Sequence, residues 1–147
     1  MNPISNLQSS IANLQSHDLI VIGGGPAGLA AAIAAHEAGC RNVLLLEREP
    51  ALGGILRQCI HAGFGMHVFK EDLTGPEYAQ RFVQRFHALG LSAQCDTMVL
   101  SVTPDREVTA VSPAFGLQRF RAKAIVLAMG CRERTRGALR VPGWRPA

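Results

Sequence analysis

Asp18-Leu19-Ile20-Val21-Ile22-Gly23-Gly24-Gly25-Pro26-Ala27-Gly28 is the stretch whose reading decides the fold. Residues 18–22 form an apolar run of the kind that a parallel sheet buries on both faces. The glycines at 23, 25 and 28 then satisfy G-x-G-x-x-G, with Pro26 and Ala27 filling the turn. In that pattern Gly23 permits the tight turn, Gly25 lets the backbone approach a diphosphate, and Gly28 lets the following helix pack against the strand. The helix reads over residues 29–38, which are rich in alanine and have high intrinsic propensity. Gly39 is a natural stop. A second apolar strand, residues 42–46, ends at Glu47. An acid about 20 residues beyond the turn is where a carboxylate can take the hydroxyls of an adenosine ribose. A lone glycine motif is a weak signal, but a glycine turn without a ligand leaves Glu47 unexplained.

Glu47 repels a 2′-phosphate, which disfavours NADP; Arg48 offsets this in part. NAD and FAD share the ADP half, so the next residues have to separate them. They are Arg48-Glu49-Pro50-Ala51-Leu52-Gly53-Gly54. The span 18–54 resembles the FAD-binding half of the pyridine nucleotide-disulfide oxidoreductase superfamily, in which the acid and the Gly-Gly pair recur together. The resemblance implies FAD at this site rather than NAD, with Gly54 running beside the pyrophosphate and ribityl chain. Arg57 is then a candidate partner for a phosphate or for the negative charge of a reduced flavin.

Farther along, Ala124-Ile125-Val126-Leu127-Ala128-Met129-Gly130 resembles that superfamily's apolar strand and Ala-Thr-Gly loop, with Met129 in place of the threonine. Ala128, Met129 and Gly130 would close over the cofactor. Arg132-Glu133-Arg134 and Val141-Pro142-Gly143-Trp144-Arg145-Pro146 resemble the continuation of that region. The pattern is most similar to flavoprotein subunits of amino-acid dehydrogenases, hydrogen cyanide synthase and sarcosine oxidase. Disulfide reductases of the superfamily carry two cysteines five positions apart just after the Gly-Gly pair. Here Leu56 and a single Cys59 occupy that neighbourhood, so no dithiol relay is expected.

The chain's 147 residues suit one α/β domain, and 48% hydrophobic content is ordinary for a globular protein. Residues 1–17 read as a polar arm and 18–147 as a Rossmann-like FAD/NAD(P)-binding domain. No run of 18 apolar residues predicts a membrane span, and the start lacks the basic and apolar segments of a secretory leader. A cytoplasmic location is expected, with the four cysteines reduced. They lack C-x-x-C or zinc spacing, and Cys59, His61 and His67 offer only three metal ligands on a glycine-rich loop, so no metal is expected. Cys59 as a reactive thiol beside a flavin is set against a half-buried loop cysteine.

Of the net charge of +4, much is local: eight of the 15 basic residues lie between positions 119 and 145. Arg132, Arg134, Arg136 and Arg140 form a spaced run without interleaved aromatic residues, which argues against nucleic acid as a partner.

Pro76 suits a first helical turn after a possible cap at Thr74, and residues 77–89 read as an amphipathic helix. Tyr78, Phe82, Phe86 and Leu89 are its expected buried stripe. Residues 91–95 read as a third parallel strand. Residues 98–102, 107–111 and 117–121 read as a β-meander, followed by a fourth parallel strand at 124–128. In the related FAD domains the first meander strand offers backbone groups to adenine, which makes Val99 a candidate.

The superfamily continues with an NAD(P) domain and a closing segment that adds a strand. Neither is found in this sequence, so the domain reads as incomplete, with an apolar sheet edge that favours self-association or a partner subunit. The leading reading is a flavin-dependent oxidoreductase, or its FAD-binding fragment, passing electrons between NAD(P)H or a small amine or hydroxy acid and an acceptor. A non-catalytic dinucleotide-binding module or truncated remnant is the alternative. A fragment of an RNA-modifying flavoprotein is suggested only by the basic run. No residue has the context of a general base; His61 and His67 are the nearest flavin-side candidates.

Overall fold

The computed structural model describes residues 14–131. The basic run at Arg132, Arg134, Arg136 and Arg140, the stretch from Val141, and residues 1–13 of the polar arm lie outside the described residues.

β1 (Gln15–Ile22) opens the fold, three residues before the expected start, so Gln15, Ser16 and His17 belong to the sheet. α1 (Pro26–Glu37) follows, with Pro26 at its start and Gly39 just past its end in a left-handed conformation (φ +99°). β2 (Val43–Leu46) lies parallel to β1, and β5 (Ser92–Gln94) lies parallel to β2. Between them come a 3-10 turn at Gly54–Gln58, a small antiparallel pair β3 (Ala62–Phe64) and β4 (Leu73–Thr74), and α2 (Gly75–Ala88). β6 (Met98–Val102) and β7 (Glu107–Ser112) precede β8 (Gly116–Leu127), giving one six-stranded sheet in the order β5-β2-β1-β8-β7-β6.

Thr74 caps α2 as a capping box: its hydroxyl faces the Glu77 N–H while the Glu77 carboxylate accepts from the Thr74 N–H at 2.8 Å. A box of this kind stabilises a helix by about 1 kcal/mol.

The continuous apolar strands have the cause expected of them, because the sheet is covered on both sides. On one face Leu19, Val21, Val43 and Leu45 pack with Leu29, Ala32 and Ile33 of α1 and Phe86 of α2. On the other, Ile20, Ile22, Leu44 and Leu46 pack with Val108, Ala110, Phe120 and Ala122 of the meander.

The structure corrects two expectations. The third meander strand and the fourth parallel strand are one strand. β8 pairs antiparallel with β7 over 116–121 and parallel with β1 over 120–127. Phe120 and Ala122 share a cluster with Ile125, so the alternation of faces slips by one residue between them. The strand turns a corner there, and the broken alternation imitates a gap. The stripe on α2 also divides. Phe86 is fully buried and Leu89 packs on the core, but Tyr78 instead joins rings from residues 61–69: its centroid lies 6.3 Å from Phe64 and 5.5 Å from Phe69.

Candidate functional site

The turn between β1 and α1 is built on backbone contact. Gly23 has φ +109°, and a Cβ there would meet the Ala128 carbonyl oxygen at 2.3 Å. A Cβ on Gly28 would sit 1.8 Å from the Gly23 carbonyl oxygen. Both glycines are therefore demanded by the protein's own packing. Gly25 is different. Its φ of −76° suits any residue, and the nearest atom to a Cβ would be the Gly54 Cα at 3.9 Å. Folding alone gives no reason for glycine at 25, and the space above it is open.

Gly25 is also the N-cap of α1, where no side chain caps the helix and the first turn holds no acid. The first N–H groups of a helix have no partner within it and carry the positive end of its dipole, so such an end attracts an anion. The Gly53-Gly54 segment clasps the turn from the other side. Gly53 N–H donates to the Gly24 carbonyl at 2.8 Å, and a Cβ on Gly54 would reach Gly25 Cα at 2.8 Å. Both glycines have positive φ, at +116° and +56°.

Glu47 stands at the β2 end, only 6% exposed. One carboxylate oxygen accepts the Gly24 N–H at 2.6 Å and the other the Glu49 N–H at 2.8 Å. A carboxylate offers about four acceptor positions, so capacity remains on each oxygen. Its own backbone is tied on both sides, donating to Gln94 and accepting from Thr97, each at 2.9 Å. Burial pushes the nearby Cys95 thiol up, assisted by the charges of Glu47 and Asp96.

Gly23, Gly25, Glu47, Gly54 and Ala128 thus meet around one crevice at the C-terminal ends of β2, β1 and β8, with Gly28 packed beneath Gly23; this is the usual ligand position in an open α/β sheet. Pro26 and Ala27 form the first turn of α1 beside it. Arg57 lays its stem on Gly53 and leaves its head exposed. Arg48 reaches Glu49 at 3.3 Å on the surface, and Met129 is 67% exposed with Gly130 beyond it at φ +69°. Val99 packs against the meander-side cluster, two residues beyond Thr97. Gly24 reads as filler in the sequence, yet its N–H is what holds Glu47. Leu52 also escapes a reading of the motif alone. Its side chain lies 2.6 Å from where a Gly24 Cβ would be, and its place as the last apolar residue before Gly-Gly is the available signal. His61 bonds to the adjacent Ala62 carbonyl at 2.9 Å, and the Cys59 thiol faces the Ile55 carbonyl at 3.5 Å.

The family described as "FAD dependent oxidoreductase" matches residues 18–130. Among curated proteins, an opine oxidase subunit from Agrobacterium tumefaciens is 33% identical over 138 residues, covering 87% of this chain and 26% of that protein. Hydrogen cyanide synthase subunit HcnB of Pseudomonas protegens is 26% identical over 130 residues, covering 85% of this chain and 26% of that protein. The chain thus spans about a quarter of the length of these relatives. Among solved structures, bacillithiol disulfide reductase from Bacillus cereus superposes with a TM-score of 0.68 at 20% identity, over 79% of this chain and 40% of that one. L-proline dehydrogenase from P. horikoshii gives 0.64 at 26% identity, over 78% and 22%.

Proposed function

The chain belongs to the FAD dependent oxidoreductase family, and we propose that the crevice above Gly25 is where it grips FAD, its family's cofactor, as the ADP-binding part of a flavin-dependent oxidoreductase. The observation that carries this is the glycine at 25, free of steric demand from the protein and placed at an uncapped helix start. Bound there, FAD would supply the two-electron chemistry, and the chain would supply position and electrostatics.

The division of labour follows from the groups present. The N–H groups at the start of α1 would take the diphosphate, with Gly25 and Gly54 admitting it close to the backbone. Glu47, with its spare acceptor positions, would take the ribose hydroxyls, and its charge would reject a 2′-phosphate. Arg57 would offer a cation beside the Gly-Gly segment. Ala128, Met129 and Gly130 would border the crevice from the end of β8, and Val99 would border the adenine.

NAD(P)H or a small amine or hydroxy acid is the donor in this reading, and a cytoplasmic location goes with it. Among the described residues no helix is long and apolar enough to cross a membrane. The opine oxidase and hydrogen cyanide synthase relatives are both named as subunits, and β8 has an open side. Its pairing with β7 ends at Arg121 while its pairing with β1 runs to Leu127, so among the described residues 123–127 lack a strand on one edge. That edge supports a partner subunit or self-association.

The test is a visible spectrum of the purified chain, then titration with FAD. Bands at roughly 370 and 450 nm, shifted on binding, are expected. A colourless protein with no spectral or thermal response to FAD would favour the non-catalytic remnant.

A further inference from the structure

A cavity of about 360 Å³ lies beside the crevice, walled by Pro26, Leu56, Phe64, Met66, Val68 and Tyr78, with His67 at its lining. Pro26 is the first residue of α1, so the cavity adjoins the proposed phosphate site without using its N–H groups. No Asp, Glu, Lys or Arg lines it. This is the make-up of a small-molecule pocket, mostly apolar with a few polar groups.

The walls are held in place. The Tyr78 ring lies tilted against Phe82 at 5.1 Å and edge-on to Phe69 at 5.5 Å, and Phe64 lies 5.2 Å from His61. The strap over residues 59–72 is pinned to α2 by Arg81, which forms two bonds of 2.8 and 2.6 Å to the Glu71 carboxylate and lies 5.0 Å over the Phe69 ring. Yet the same strap leaves Met66 and Val68 more than half exposed. The cavity is therefore a groove open to solvent, and a bound apolar group would cover these side chains.

We propose that this cavity receives a bulky apolar or aromatic group of the substrate. The assignment rests on the flavoprotein reading above and narrows it. No charged side chain lines the groove to pair with an ionised group, so an apolar or aromatic group suits it better than a charged one. Substrates with no apolar group, such as glycine, leave the cavity unused.

The experiment is an amide NMR titration of the full chain with indole, with glycine as the comparator. Indole is expected to shift the amides of Gly63, Gly65 and Val68 saturably, and glycine to leave them unmoved. Val68→Asp, with Met66→Glu as a second variant, should weaken indole at least tenfold. Saturating FAD should leave the indole affinity within twofold. Shifts confined to other surfaces, indifference to both substitutions, or displacement of indole by FAD would overturn the proposal. The FAD titration is read separately by the visible spectrum. Indole binding without FAD binding overturns the cofactor reading and the substrate role with it; FAD binding without indole binding overturns the cavity assignment alone.

Discussion

Gly28 packs so tightly beneath Gly23 that a methyl group on it would lie 1.8 Å from the Gly23 carbonyl oxygen, whereas a methyl group on Gly25 would meet nothing closer than 3.9 Å. The three glycines of one motif therefore answer to different demands. Gly28→Ala should force the turn and helix apart and cost roughly 3 kcal/mol of stability. Gly25→Asp should leave stability unchanged or raise it by a few tenths of a kcal/mol, since aspartate caps a helix better than glycine. The same aspartate fills the anion site with negative charge and should abolish the spectral response to FAD. Urea denaturation beside FAD titration separates the two effects. A Gly25→Asp variant that still bound FAD normally would mean the diphosphate lies elsewhere.

The carboxylate of Glu47 is used by the fold before any ligand arrives, because it satisfies the N–H groups of Gly24 and Glu49. Glu47→Ala should cost about 2–4 kcal/mol by stranding two donors, one of them buried. Glu47→Gln keeps an acceptor for one of them and should cost about 1–2 kcal/mol. In the proposed site the wild type should bind ADP at least tenfold more tightly than 2′-phospho-ADP, and Glu47→Gln should narrow that ratio. Calorimetry on the two nucleotides reads it directly.

Much of this was legible in the sequence because the physics is local. Residues 19–22 and 43–46 are apolar without alternation, as suits a sheet covered on both faces, and the glycine turn with Glu47 is a short-range pattern. What escaped was tertiary. The corner in β8 came from a one-residue slip near Lys123, which in the alternation looks like a gap. The absence of Gly or Pro between Leu117 and Leu127 was the contrary signal. The separate fates of Tyr78 and Phe86 could not be read from helical spacing, since both sit on one stripe. Which of them meets the core depends on where the strap over 59–72 returns. Gly24 was obscured for a similar reason, because its role is a bond to a residue 23 positions away.

Acid should weaken the meander. Arg119 and Arg121 flank Glu107, the first at 2.6 Å, and hold its carboxyl below the usual carboxylate range. A carboxyl lowered in the folded state adds stability that is present above its unfolded value, near 4, and is lost as pH falls through the lower folded value. Glu71 beside Arg81 and Asp18 beside Lys123 follow the same sign. Glu107→Gln should therefore lower stability slightly at neutral pH, where the carboxylate is charged, and converge on the wild type below about pH 4, which flattens the acid limb. Hydrogen exchange on β6 and β7 amides across that range is the measurement, and an unaltered acid limb would show that the pair contributes nothing.

The open side of β8 carries a last expectation. The backbone over 123–127 offers strand-pairing groups on one edge among the described residues, and Leu127 at its end is 59% exposed. An edge of this kind pairs with other chains unless charge or covering prevents it. The chain alone should self-associate at high concentration in sedimentation experiments. Leu127→Lys should shift it toward monomer, because a lysine at an edge resists pairing, while leaving FAD binding within severalfold if the crevice is where Gly25 and Glu47 put it. A wild-type chain that sediments as a clean monomer at high concentration would remove the case for an unsatisfied edge. A Leu127→Lys chain that associates as before would move the contact to another surface, of which the exposed row Met98, Val111 and Leu117 across the meander is the next to test.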